Sequence, residues 1–134
     1  MSNPISESDS QSISTSSVRA RVYYLSGPMA GYPELNFPAF EAAASMLRRR
    51  GLTIVSPNEL TPPTTDPKME GLDFLAWDIH IMTRDCNAII LLQGWPASKG
   101  ARAELEVALT LKWPVFFFDD YYYDRGRLIA MQAD

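Results

Sequence analysis

The sequence has one cysteine and one histidine in 134 residues. A lone Cys86 excludes an internal disulfide and a cysteine-built zinc site. It fits a reducing compartment, so a cytoplasmic location is expected. A lone His80 argues against a histidine-rich metal centre and a Ser-His-Asp triad. No apolar run approaches the roughly 20 residues that span a bilayer, so no membrane partner is expected. The N-terminus carries no apolar core of a secretory signal. Basic clusters are also missing: the formal net charge is -4 and the longest run is Arg48-Arg49-Arg50. Duplex nucleic acid is therefore not an expected partner. The three arginines close a helical run, where they complement the helix dipole.

What is present is ordinary for one soluble domain: 46% hydrophobic and 21% charged residues. Residues 1–18, opening MSNPISESDSQSISTSS, are serine-rich and poor in large apolar groups, the composition of a disordered tail. Residues 19–134 form the single folded domain. RVYYLS (21–26) reads as a first strand, broken by GPMAG. A helix follows, with Asn36 as its cap, Pro38 in its first turn and Gly51 as its stop. LTIVS (52–56) is a second strand. PNELTPPTTDPKME (57–70) is too proline-rich for a helix or central strand, and long enough for a site lid. Residues 71–86 give a second helix, and NAIILLQ (87–93) a strand apolar on both faces. A third helix and PVFFFD (114–119) come next, and the aromatic tail adds a strand stub or short helix. The alternation predicts an α/β fold, a three-layer flavodoxin-like (Rossmann-like) domain with a parallel sheet of four to five strands.

In such a sheet, ligands bind beyond the carboxyl ends of the strands. SGPMAG (26–31), GWPASKGARAE (94–104) and the proline-rich loop should converge there. Neither glycine-bearing loop matches a dinucleotide or P-loop signature. Within ASKGARAELEVALTLKW, helical projection at about 100° per residue puts Leu105, Ala108, Leu109 and Leu111 within roughly 90° of Ala101. Glu106 then points to solvent, at roughly 140°, while Glu104, at roughly 300°, falls inside the packing face. A carboxylate there must be partnered or must line a cavity. On the second helix, Leu75, Ala76, Ile79 and Met82 share one apolar face with Leu72, and Phe74, Trp77 and Ile81 make another. Asp78 lies at the seam, as a site residue or as a cap or arginine partner. The second apolar face predicts a homodimer or higher homo-oligomer.

YYLSG at the end of strand one, DIH…CNAIILL through the second helix and third strand, and SKGARAEL together resemble the nucleoside 2-deoxyribosyltransferase superfamily. The similarity runs from residue 22 to about 119 and takes in SGPM, NFPAF and GW. It implies that Glu104 is a nucleophile attacking C1′ of a 2-deoxyribosyl group, displacing the base and leaving a glycosyl-enzyme. A second base (transferase) or water (hydrolase) would then take the sugar. A carboxylate suits an oxocarbenium-like transition state. The resemblance further implies that Asp78 protonates or positions the leaving base, and that Tyr23 or Tyr24 positions the nucleophile or the sugar. Ser26, Gly27, Pro28, Met29, Ser98, Lys99, Gly100 and Arg102 would line the substrate site.

Ser98 stands where relatives acting on unphosphorylated nucleosides carry aspartate, and serine is what the monophosphate N-glycosidases carry. A carboxylate would repel a 5′-phosphate, whereas a hydroxyl and helix N–H groups can bind it. The monophosphate hydrolases usually have an arginine in the first loop. GPMAG has none, and Lys99 or Arg102 could supply the charge or be plain surface residues. The expected substrate is a (2′-deoxy)nucleoside, as its 5′-monophosphate, with no metal or organic cofactor. Two rivals are a non-catalytic nucleotide-binding module and a phosphoribohydrolase acting on modified nucleotides.

Overall fold

The computed structural model describes residues 20–60, 71–118, 123–124 and 127–130. The serine-rich tail and most of the proline-rich loop, the candidate lid, lie outside the described residues. The strands are β1 (Val22–Ser26), β2 (Thr53–Val55), β3 (Ala88–Leu92), β4 (Val115–Phe118), β5 (Tyr123–Asp124) and β6 (Arg127–Ala130). The helices are α1 (Phe37–Arg49), α2 (Gly71–Asp85) and α3 (Lys99–Thr110). The sheet order is β2-β1-β3-β4-β6-β5. Its first four strands are parallel, as the strand–helix alternation predicts, and β6 joins β4 antiparallel. The tail therefore adds an antiparallel pair of short strands at that edge.

The layers follow from alternation along each strand. Tyr23, Leu25, Ile90 and Leu92 pack under α1, against Phe40, Ala43, Ala44 and Leu47. Tyr24, Ile89 and Leu91 point the other way, towards Met82 of α2 and Ala108 of α3. All five residues of β3 are buried, the pattern of a central strand covered on both faces. Asn87 pins the start of β3 to the chain entering β1. Its Oδ1 accepts from Val22 N at 2.8 Å and its Nδ2 donates to the Ala20 carbonyl at 3.0 Å.

Four details differ from the sequence expectation. Asn36 precedes α1, but its backbone is left-handed (φ 61°) and its side chain makes no cap. Its Nδ2 donates instead to the Pro28 carbonyl at 2.9 Å, tying the loop after β1 to α1. Arg48 is more than a solvated helix end: it donates twice to Glu59, at 2.7 and 2.8 Å, and once to the Ile54 carbonyl at 2.9 Å. On α3 the buried residues are Ala101, Glu104 and Ala108, while Leu109 is 49% exposed. The packing face is thus centred nearer Glu104 than Leu109. On α2, Ile81 and Met82 are both buried while Phe74 is 43% exposed and Ala76 is exposed. The two apolar faces merge into one buried sector with Asp78 inside it. Of the face expected to meet a second subunit, only Phe74 is exposed, with Trp77 half-buried against His80. No helix among the described residues is long and apolar enough to cross a membrane.

Candidate active site

Residues two apart on a strand share a face, so β1 turns the Tyr24 phenol and the Ser26 hydroxyl towards α3. There Glu104, 5% exposed, takes both. Tyr24 donates to Oε2 and Ser26 to Oε1, each at 2.7 Å. The helix that carries Glu104 starts at a cap: the Ala101 N–H donates to Ser98 Oγ at 3.1 Å. A cavity of about 140 Å³ lies over the carboxylate, lined by Gly27, Met29, Pro57, Phe74, Leu75, Asp78, Gly100, Ala101 and Glu104. It is smaller than the roughly 300 Å³ or more that whole drug-sized ligands occupy. Its walls come from the loop after β1, the turn after β2, α2 and the start of α3. This is the convergence expected at the carboxyl ends of parallel strands.

Two carboxyl groups therefore share one small, largely apolar chamber. Burial pushes Glu104 up to about 7, partly opposed by the donors Ser26 and Tyr24, with the nearby Asp78 charge adding to the rise. Burial likewise pushes Asp78 up to about 6. Burial first, and then Glu104, hold the Tyr24 phenol well above its ordinary value, so it remains a proton donor. Larger cavities lie elsewhere. One of about 680 Å³ runs between α1 and the ends of β3 and β4, and its lining carries no carboxylate. Another, of about 390 Å³, lies between β2 and α2, and its carboxylates Glu59 and Asp85 are exposed. Among the described residues no three of His, Cys, Asp and Glu come together as a metal-binding group.

Of the residues read from the sequence, Glu104, Asp78, Gly27, Met29 and Gly100 line the one cavity. Tyr24 and Ser26 reach it through Glu104. Ser26 was expected at the substrate, but it is fully buried and its hydroxyl goes to the carboxylate. Tyr23 is not brought to the site: the strand turns it to the opposite layer, edge-on to Phe116 with ring centres 5.6 Å apart. Pro28 is buried beside Gly94, and Ser98 is engaged as the helix cap. Lys99 and Arg102 are exposed and line no part of the cavity. Sequence reasoning did not pick out Phe74 and Leu75 as its walls, whereas Pro57 opens the proline-rich loop that was expected there. Phe74 and Leu75 lie to either side of Asp78 on α2, whose apolar residues run around most of its circumference, so periodicity did not single them out.

The sheet order, the two helical layers and a chamber at the strand ends define a three-layer α/β domain of the flavodoxin-like class. Residues 21–117 match the family described as a domain of unknown function, DUF4406, and the chain belongs to that family. Its fold is that of the 2-deoxyribosyltransferases, as the sequence motifs implied. A 2-deoxyribosyltransferase from the psychrotolerant bacterium Bacillus psychrosaccharolyticus superposes with a TM-score of 0.58 at 16% identity, over 83% of this chain and 99% of that one. The corresponding enzyme from Leishmania mexicana gives 0.51 at 17% identity, over 84% of this chain and 79% of that one. Comparison with curated proteins finds no match.

Proposed function

We propose that the protein cleaves or exchanges the N-glycosidic bond of a (2′-deoxy)nucleoside, with the 5′-monophosphate as its preferred form. One observation carries this reading. Glu104 is a buried carboxylate with both oxygens held by hydroxyl donors, facing a chamber that also holds Asp78. Such a group is built to attack or to stabilise developing positive charge, not to pair with a cation. Glu104 attacks C1′, the C1′–N bond breaks, and its electron pair leaves with the base. Asp78 gives a proton to the departing nitrogen. The sugar is then held as an ester of Glu104, until water or a second base attacks C1′ and the carboxylate leaves. The fold shared with 2-deoxyribosyltransferases supports the same class of chemistry.

Burial raises both Glu104 and Asp78 towards neutrality, so one proton can be held between them. The reaction requires that proton on Asp78 and the anion on Glu104. Positive charge developing at C1′ favours the Glu104 anion, and the pair titrates as a unit. The phosphate preference rests on Ser98, which caps α3 as an acceptor and keeps its own proton for a ligand oxygen. The start of α3 adds backbone N–H groups. The test is a panel of nucleosides and 5′-monophosphates, with and without an acceptor base, assayed chromatographically for free and exchanged base. Base release without acceptor identifies a hydrolase, and release only with acceptor a transferase. Absence of both across the panel would overturn the reading and favour a binding module.

A further inference from the structure

We propose that Ser26 is a positioning residue for Glu104: its hydroxyl holds the carboxylate oxygen that Tyr24 does not reach, and so fixes the rotation and charge state of the group. The proposal deepens the reading above, and only its kinetic consequence rests on that reading. Ser26 is 0% exposed, so its hydroxyl is not presented to a substrate. That hydroxyl has one proton, and the proton is committed to Oε1 at 2.7 Å. One donor would leave the carboxylate able to turn about its last bond. Two donors on different oxygens, from positions 24 and 26 of one strand, lock its plane. An ionised carboxylate only accepts, so it fits two donors without rearrangement. A protonated one carries a donor of its own, and a hydroxyl opposite it would have to reverse. Donors to the charged form favour that form.

The other groups around Glu104 do not duplicate this role. The titratable groups that face it are Tyr24 from β1 and Asp78 from α2. Asp78 opposes ionisation by its charge. β3 presents the apolar Ile89 and Leu91 to this layer. The turn after β2 gives Pro57 to the chamber, while its Glu59 is paired outside with Arg48. On α3 itself Lys99, Arg102 and Glu106 are exposed. Ser26 is thus the one aliphatic hydroxyl on the carboxylate among the described residues.

Glutamate labelled with ¹³C at the side-chain carboxyl reports the protonation of Glu104 directly, with its signal assigned by loss in Glu104→Gln. The full chain is titrated as wild type, Ser26→Ala and Ser26→Cys. Cysteine keeps the approximate shape of serine but is a weak donor, so it serves if the alanine variant fails to fold. The Glu104 midpoint should rise by about half a pH unit or more in both variants. The acid limb of base release should move up with it, with activity regained at higher pH. A midpoint unmoved from wild type in the folded variants overturns the proposal. So does base release that falls equally at every pH with no shifted limb. If the wild type releases base from no nucleotide, the proposed function fails, and the carboxyl titration still decides the role of Ser26.

Discussion

The Tyr24 phenol donates to Glu104 Oε2 at 2.7 Å across 80 positions of sequence, and both residues are buried. Tyr23, its neighbour, faces the opposite layer. Tyr24→Phe keeps the ring in the core and removes only the donor. Base release should fall by about tenfold or more, the equivalent of one charge-assisted hydrogen bond. Tyr23→Phe should leave it within about twofold, since that ring contributes packing only. Steady-state rates on the best substrate decide between them, and equal losses would refute the division of the two tyrosines between layers.

Glu104→Gln should lower turnover by about a thousandfold or more, while exposed Glu106→Gln should be silent. Stability should move in the opposite direction. The folded chain holds the Glu104 proton up to about pH 7, whereas the ordinary value is 4.5. Its stabilising contribution is complete below 4.5 and is lost as pH rises to about 7. The glutamine can accept from one hydroxyl and donate to the other. Glu104→Gln should therefore gain stability over wild type as pH is raised, by on the order of 2 kcal/mol at pH 8. Urea midpoints at pH 5 and pH 8 measure this, and a difference between the two proteins that is the same at both pH values contradicts it.

Ser98→Asp separates capping from recognition. Aspartate caps a helix as well as serine does, so the melting temperature should hold. A carboxylate at the same place repels a dianionic phosphate. The ratio of kcat/KM for the 5′-monophosphate to that for the nucleoside should drop about tenfold, while nucleoside cleavage persists. An unchanged ratio would remove Ser98 from the phosphate site.

Gly27 sits where β1 meets β3. A Cβ added there would lie 2.9 Å from Leu92 Cβ, closer than side chains pack. Gly27→Ala should cost about 1–3 kcal/mol and shift the loop that lines the chamber. Chemical denaturation gives the first effect and KM the second. An unaltered unfolding midpoint would show that the strand ends yield without strain.

The sheet, its helices and the placement of Glu104 were legible because β1 and β3 are short continuous runs of β-branched, aromatic and aliphatic residues between turn signals, and because α3 keeps a period of about 3.6. Glu104 stood out as a charge inside an apolar sector. Asp78 was harder. α2 has apolar residues around most of its circumference, so periodicity alone did not show that the buried sector runs through Ile81 and Met82 with the aspartate in it. The choice between Tyr23 and Tyr24 depends on which face of β1 meets α3, a tertiary fact that alternation cannot supply. Ser26 was read as a substrate contact because the resemblance places the loop that ends strand one at the substrate. Only the position of α3 across the sheet reveals the carboxylate waiting for its hydroxyl. The Asn36 cap failed for a local reason: a left-handed backbone aimed the side chain at Pro28 instead of the helix.

Because β1 runs between β2 and β3, both donors to Glu104 belong to an interior strand. Interior strands open last, often only with the whole domain. The carboxylate is thus braced from an interior strand, while Phe74 of α2, 43% exposed, forms a more exposed wall of the chamber. Adaptation to a different base can proceed through that wall without loosening the reacting group. Loss of the Glu104 geometry on heating should coincide with melting and not precede it.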